Sequence, residues 1–380
     1  MVRTFRYPLH PTVAQETVLL SWLGQCCDLY NAALQERRDA WRKQRVNLGR
    51  YDQHKSLTEW RRSDPEARAV PAWVQRSPLA RVDLAFKAFF RRCKAGQAPG
   101  YPRFRSKRRY DSFTVPASGR DIRVVGNRVS LPKLPSIRFN QYRPLQGRIL
   151  TVTVRRDSVG SWWVSFACDL GAAPPKVEEP ASVVGIDVGL KSLAVTSDGE
   201  GIEKQRYSAA SAEKLARAQR VLARRKRGSR SRERARVQVA KAHRHVQNQR
   251  LDYARKVAVS LVSKYDVISH EDLQIRAMSR GLFAKGIHDA GWGILLHCIS
   301  CKAESAGKHV VAVDPRGTSQ RCSGCGNTVP KDLGVRIHDC PACGLRMDRD
   351  HNAAVNIRAL GRGAVANAGA SCPAEVRSEQ

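Results

Sequence analysis

The chain is short of acid. Asp and Glu number 34 against 67 Lys and Arg in 380 residues, a formal net charge of +33. Such a surface repels itself and calls for a polyanion, nucleic acid first and an acidic membrane surface second. Long apolar runs are missing too: none approaches the roughly 18 residues of a membrane span, which excludes one. The opening MVRTFRYPLHPTVAQ lacks the basic–apolar–small order of a secretory signal, so a cytoplasmic, nucleoid-associated location is expected. No internal repeat is visible. The eleven cysteines are an odd number, which argues against a fully paired secreted disulfide framework. Chain-wide disorder is excluded by a hydrophobic content of 42%.

What is present divides along the chain. MVRTFRYPL reads as one strand ended by Pro8 and Pro11. From Gln15 to about Arg62, and again over about 78–93, apolar residues recur at three- and four-residue steps with basic residues between them. This predicts a helical nucleic-acid recognition module over 15–110. Its end, GYPRFRSKRRYDSF, is rich in Arg. Short alternating runs follow, with hairpin breaks at Gly126-Asn127 and Asp157–Gly160. They predict a small β-barrel over 111–170 that residues 1–14 complete. Tyr101, Phe104, Tyr110, Phe113, Phe139 and Tyr142 are either base-stacking groups or ordinary barrel core and rim. GAAPPKVEEPAS, 171–182, reads as a linker.

The second half alternates short strands with helices. VVGIDVG and SLAVTSDG are strands. Two basic helices follow within 209–264, carrying 16 basic and 3 acidic residues over Glu213–Lys256. Then come the strand DVISHEDL, a helix, the strand KHVVAVDP and a final helix from about Asp350. Residues 363–380 are small and polar and read as a disordered tail. So many positive charges in one helix pair favour a phosphate-binding face. Arg103, Arg105, Lys107, Arg108, Arg224, Arg225, Lys226 and Arg227 are the candidate contacts.

Two constellations carry chemistry. Cys322–Cys325 and Cys340–Cys343 are CxxC knuckles 14 residues apart, each followed by glycine. Four thiolates complete a tetrahedron around one zinc and leave no open position, so the ion is structural. The Cys298–Cys301 pair lies in the apolar run GILLHCISC and reads as core. The second constellation is acidic. Asp187 sits among strand residues, Glu271 ends another strand with Asp272 beside it, and Asp348 and Asp350 precede a helix. Carboxylates from two strand ends and one helix start can converge at a sheet edge. There they would hold two divalent ions for phosphodiester hydrolysis.

GIDVGLKSLAVTSDG, ISHEDL, DPRGTSQRCSGCG, CPACG and DRDHNAAVNI occur in the order found in the transposon-associated TnpB family, compact relatives of the type V CRISPR effector nucleases. YPLHPT, YNAAL and GYPRFRSKRRYDSF resemble that family's opening blocks. The resemblance covers about residues 1–362. It implies an α+β multidomain chain: a small β-barrel with an inserted helical module, then an RNase H-like (RuvC) α/β nuclease domain over 183–321 and 344–362. A four-cysteine zinc-finger insert, 322–343, interrupts the latter. The implied triad is Asp187, Glu271 and Asp350, with Asp350 preferred over Asp348 because it stands two residues before Asn352. The implied cofactors are two Mg²⁺, one Zn²⁺ and a guide RNA transcribed from the element. The implied activity is RNA-guided cleavage of double-stranded DNA beside a short transposon-adjacent motif. A nuclease-silent RNA-guided repressor and a transposase are the alternatives.

Overall fold

A computed structural model describes residues 1–117, 122–205, 207–281, 284–332 and 334–370. The chain forms two units, 1–172 and 173–380.

The first unit begins with β1 (Val2–His10), which leads into α1 (Val13–Asp39). Thr12 caps α1: its hydroxyl accepts from the Gln15 N–H, and the Gln15 side chain accepts from the Thr12 N–H, a reciprocal capping box. Leu19, Trp22, Leu23, Cys26, Tyr30, Ala33 and Leu34 make the buried stripe that helical spacing requires. A π-turn over Ala40–Gln44 and a left-handed Arg45 end the helix. Then follow α2 (Arg50–Ser63), α3 (Pro65–Ala69) and α4 (Ala72–Lys94). Pro78 lies inside α4 and cannot donate to the Val74 carbonyl; the Cys26 thiol meets that carbonyl at 3.4 Å instead.

The remaining strands of this unit are β2 (Ser112–Pro116), β3 (Arg123–Val125), β4 (Arg128–Leu131), β5 (Leu134–Phe139), β6 (Arg148–Arg156) and β7 (Trp162–Asp169). They pair antiparallel in the order β2-β6-β7-β1-β5-β4-β3, so the first strand of the chain sits at the centre of an open barrel. In β7, Trp162, Val164, Phe166 and Cys168 alternate inward. Phe166 and Phe139 meet Tyr7 at ring separations of 6.0 and 5.3 Å. Each fully buried ring of this kind contributes about 2–3 kcal/mol.

The second unit starts with residues 173–182, in which Val177 donates to the Gly307 carbonyl at 3.0 Å and its own carbonyl meets His309 Nε2 at 2.8 Å. Next come β8 (Val183–Val188), β9 (Ala194–Thr196), β10 (Gly201–Ile202), α5 (Tyr207–Arg224), α6 (Arg230–Lys264) and β11 (Val267–Glu271). α7 (Ile275–Met278), α8 (Ala284–Ala290), α9 (Trp292–Ser305) and β12 (His309–Val313) follow. The cysteine insert contains β13 (Ile337–Asp339) and β14 (Arg346–Asp348), and α10 (Arg349–Ala370) completes the described chain.

The sheet runs β10-β9-β8-β11-β12, with β8, β11 and β12 parallel and the first three strands antiparallel. The sheet is therefore mixed, three parallel strands extended by an antiparallel pair. Val184, Ile186 and Ile268 point into a core shared with Ala258, Leu261, Leu295 and Ile299 of α6 and α9. The alternate residues, Gly185 and Ser269, face α10. A methyl group on Gly185 would collide with the Ala354 carbonyl, and one on Gly361 with Ser269 Oγ, so helix and sheet touch backbone to backbone at Gly185 and backbone to side chain at Gly361. The tail reading needs correcting here. Residues 363–370 continue α10, where alanine, the best helix former, recurs at every second position; residues 371–380 lie outside the described residues.

Among the described residues no helix is long and apolar enough to cross a membrane.

Candidate functional site

Period-two alternation decides where the acidic residues go. Ser269 of β11 is in register with Gly185 of β8, and both strands run the same way. Two residues on, Asp187 and Glu271 therefore share the face that α10 covers, at the carboxyl ends of neighbouring parallel strands. α10 begins above them. Its Asp350 carboxylate approaches β8 closely enough that a Cβ on Gly189 would stand 3.9 Å from Oδ2.

The two acids at the helix start do different things. Asp348 Oδ1 accepts from the backbone N–H of Asp350 at 2.8 Å and of His351 at 3.3 Å, so it caps α10. Asp350 is left to face inward, with Arg336 at 3.9 Å. Burial pushes the Asp187 carboxyl well above the usual aspartate range, and the charges of Glu271 and Asp350 push it further; Arg349 opposes them. Burial also raises Glu271, against a hydrogen bond from Thr318 and the charge of Arg349. Asp187, Glu271 and Asp350 are thus brought to one edge, where their mutual repulsion favours a bound cation. Oxygen donors with excess negative charge are the donor set for a hard divalent ion.

The insert is anchored to that edge. Asn352, fully buried, accepts from Ser323 N–H at 2.9 Å and donates to the Arg321 carbonyl at 2.8 Å. Asn356 donates to the carbonyls of Thr318 and Arg321. None of Thr318, Asn352 or Asn356 stood out in the sequence as functional. Only Asn352 carried a signal, as the residue two positions after Asp350.

The four thiols of Cys322, Cys325, Cys340 and Cys343 all lie within 4.8 Å of one another. Cys322 and Cys343 are 3.6 Å apart, as are Cys325 and Cys340. Thiolates at about 2.3 Å from one ion in a tetrahedron fall close to this separation, so the group fits zinc. Gly326 and Gly344 take φ of 79° and 74°, the left-handed turn that lets each knuckle close on itself. The amides of Cys325 and Gly324 and the His338 side chain bring the Cys322 thiol down to about 6 despite burial. Among the described residues this is the one group of three or more such ligands so closely gathered; the three carboxylates stand further apart. Cys298 is buried in the α9 core and Cys301 is exposed.

The basic candidates lie in two places. Arg103, Arg105, Lys107 and Arg108 are exposed on a segment held to α1. Asn31 bonds both the N–H and the carbonyl of Arg105, whose guanidinium lies 5.2 Å from the Tyr30 ring. Lys107 is 2.9 Å from Asp28. Arg224 ends α5, and Arg225, Lys226 and Arg227 form the exposed turn to α6. Arg232 secures that turn by donating to the carbonyls of Leu222 and Arg225. Of the aromatic candidates, Tyr110, Phe113 and Phe139 are buried in the core and unavailable for stacking, whereas Tyr101, Phe104 and Tyr142 are exposed.

Comparison with known proteins adds independent findings. Residues 292–357 match a family described as "Cas12f1-like, TNB domain", and 152–281 one described as "Probable transposase". Residues 1–45 match one described as "Helix-turn-helix domain", although here they form a strand, a single long helix and a π-turn. A Streptomyces pristinaespiralis protein named "Putative RNA-guided DNA endonuclease" is 32% identical over 373 residues, covering 96% of this chain and 90% of its own. InsQ of Escherichia coli K12, which bears the same description, is 29% identical over 389 residues, covering 96% and 94%. The CRISPR-associated endodeoxyribonuclease Cas12f1 of Sulfoacidibacillus thermotolerans is 51% identical over 57 residues, 15% of this chain and 14% of its own. Among solved structures, a Cas12f1–sgRNA–target DNA complex aligns with a TM-score of 0.63 at 16% identity, over 91% of this chain and 83% of that one. At that identity the likeness concerns the fold.

Proposed function

This chain belongs to the transposon-associated TnpB family of RNA-guided DNA endonucleases, and from that premise we propose that it cuts target DNA at the acidic edge of its second unit. The observation that carries the reading is the gathering of Asp187, Glu271 and Asp350 where two parallel strands and a helix start meet, with Asp187 held well above its ordinary range. Asp187 would be shared by two Mg²⁺ ions, with Glu271 holding one and Asp350 the other. Such ions would neutralise charge at the phosphate and lower the pKa of water enough to supply hydroxide as the nucleophile. The chain's own residues do the rest. β8 and β11 fix two carboxylates at neighbouring positions, α10 brings the third, and Asp348 spends its charge on the helix start.

Guide RNA and double-stranded DNA would be its partners, a reading supported by the RNA-guided DNA endonucleases it resembles. The exposed cations Arg103, Arg105, Lys107, Arg108 and Arg224–Arg227 would meet phosphates. Base pairing would supply sequence, and the protein shape and charge, next to a short adjacent motif. Binding of this kind weakens steeply with salt.

The test is cleavage by the reconstituted protein–RNA complex in Mg²⁺ and in EDTA. Asp187→Ala is expected to abolish cutting while guide and target binding stay near wild type. Cutting retained by that variant would overturn the assignment. The description "Probable transposase" gives a strand-joining reading some standing. The same assay distinguishes it, because joined products would appear as covalent donor–target molecules.

A further inference from the structure

Thr318 stands in the loop between β12 and the first knuckle, and its side chain is almost wholly buried, 4% exposed. Its hydroxyl bonds Glu271 Oε1 and also lies 3.0 Å from the Pro315 carbonyl. Both partners are acceptors when Glu271 is ionised, so the single hydroxyl proton is offered between them and the Oγ1 position is held from two sides. The backbone of the same residue is held as well. Its carbonyl accepts from Asn356 Nδ2 at 2.8 Å, and Asn356 belongs to α10, the helix that carries Asp350. Asn352, one turn earlier on α10, bonds Ser323 beside the Cys322 knuckle.

These contacts form one continuous support. Glu271 leans on Thr318, Thr318 is fixed to α10, and α10 is fixed to the loop that bears the thiols. A glutamate has three rotatable side-chain bonds, so a strand alone cannot fix where its carboxylate points. A buried hydroxyl locked by its own backbone can.

We propose that Thr318 is a positioning residue for Glu271, presenting one carboxylate oxygen to the divalent ion and thereby setting the affinity of that site. The proposal rests on the reading that Asp187, Glu271 and Asp350 hold divalent ions. It makes the threonine of the loop, and not only the three carboxylates, part of what determines ion binding. Outer-shell partners of metal ligands commonly change affinity by about 10–100-fold when removed.

The experiment uses Mn²⁺ as the probe and the full-length chain without guide, with free Mn²⁺ followed by electron paramagnetic resonance. Asp187→Ala serves as the blank. Thr318→Val keeps the shape and removes the hydroxyl; it is expected to weaken Mn²⁺ binding about 10-fold or more. Thr318→Ser restores the hydroxyl and is expected to bind close to wild type. Zinc content and melting temperature are read on every variant, and Thr318→Ala replaces valine as the hydroxyl-free arm if the valine methyl costs the protein its zinc. Wild-type affinity in the hydroxyl-free arm overturns the proposal. So does a serine variant as weak as the valine one with zinc and melting unchanged, since loop shape would then be the cause. A wild type indistinguishable from Asp187→Ala overturns the underlying ion reading, and the proposal with it, whereas binding lost in Asp187→Ala but unchanged in both Thr318 variants overturns the proposal alone.

Discussion

The cysteine knuckles and the acidic edge are both sets of anionic ligands in one unit, yet they are built on opposite principles. The thiols already stand at ligating distance, on two tight turns closed by left-handed glycines. The carboxylates are spread between two strands and a helix, and two arginines, Arg336 and Arg349, face them. A closed set that satisfies its ion completely holds a fold together. An open set that stays electrostatically unsatisfied keeps room for water and a phosphate. On the proposed reading, the contrast is between a staple and a working surface.

The largest effect expected from breaking this contrast is at the staple. Structural zinc contributes on the order of 10 kcal/mol in small zinc modules, so Cys340→Ser should lose bound zinc and lower the melting temperature sharply. Zinc analysis and differential scanning fluorimetry would read both. The acidic edge should respond the other way. Asp350→Asn should leave zinc and melting temperature nearly unchanged and remove cleavage, by more than the ~100-fold typical of an outer-shell loss. Asp348→Ala sharpens the point: it should cost about 1 kcal/mol of stability as a lost helix cap and leave most of the cleavage rate. Equal loss of cutting from the two variants would erase the division of labour between them.

Smaller effects test the packing and the charge. Gly185→Ala forces α10 away from β8 and should cost about 1–3 kcal/mol, measured by urea denaturation. The pH dependence of the metal-free protein follows from the raised Asp187 and Glu271. An unfolded chain ionises these groups at ordinary values, while the folded chain retains their protons longer. The metal-free fold should therefore lose stability as pH rises from the ordinary carboxylate range through the elevated folded values, and stay weaker above them. Each 1 kcal/mol so lost should appear as roughly 2–4 °C of melting temperature. Mg²⁺ should cancel the decline, and Asp187→Asn should flatten it.

Local pattern carried much of this to the reader of the sequence. Paired CxxC spacing is a property of a few consecutive residues, and so is the alternation that places Phe166 inward. Asp187 and Glu271 were legible because an acid in an apolar strand is conspicuous in so basic a chain. Thr318, Asn352 and Asn356 were not, because polar residues in a loop or on a helix look alike until tertiary structure puts a carboxylate or a carbonyl opposite them. The end of α10 was misread for a related reason. Its small residues suggest a tail, whereas the alanines among them carry the helix on to Ala370. Half of the aromatic candidates proved to be core, since burial depends on which strand partners which.

The contact of Ala354 with Gly185 and of Gly361 with Ser269 also governs which lengths of chain the molecule tolerates. The two helical residues are seven apart, two turns, so they lie on one face and index α10 against two strands. One residue inserted between Asp350 and Ala354 would turn the carboxylate by about 100° around the axis and carry it off the edge. Among the described residues between the knuckles, 326–339, neither Gly326 nor Gly334 makes so close an approach. Insertions and deletions should therefore accumulate there and be absent from 350–361, a spacing rule readable in any set of functional variants.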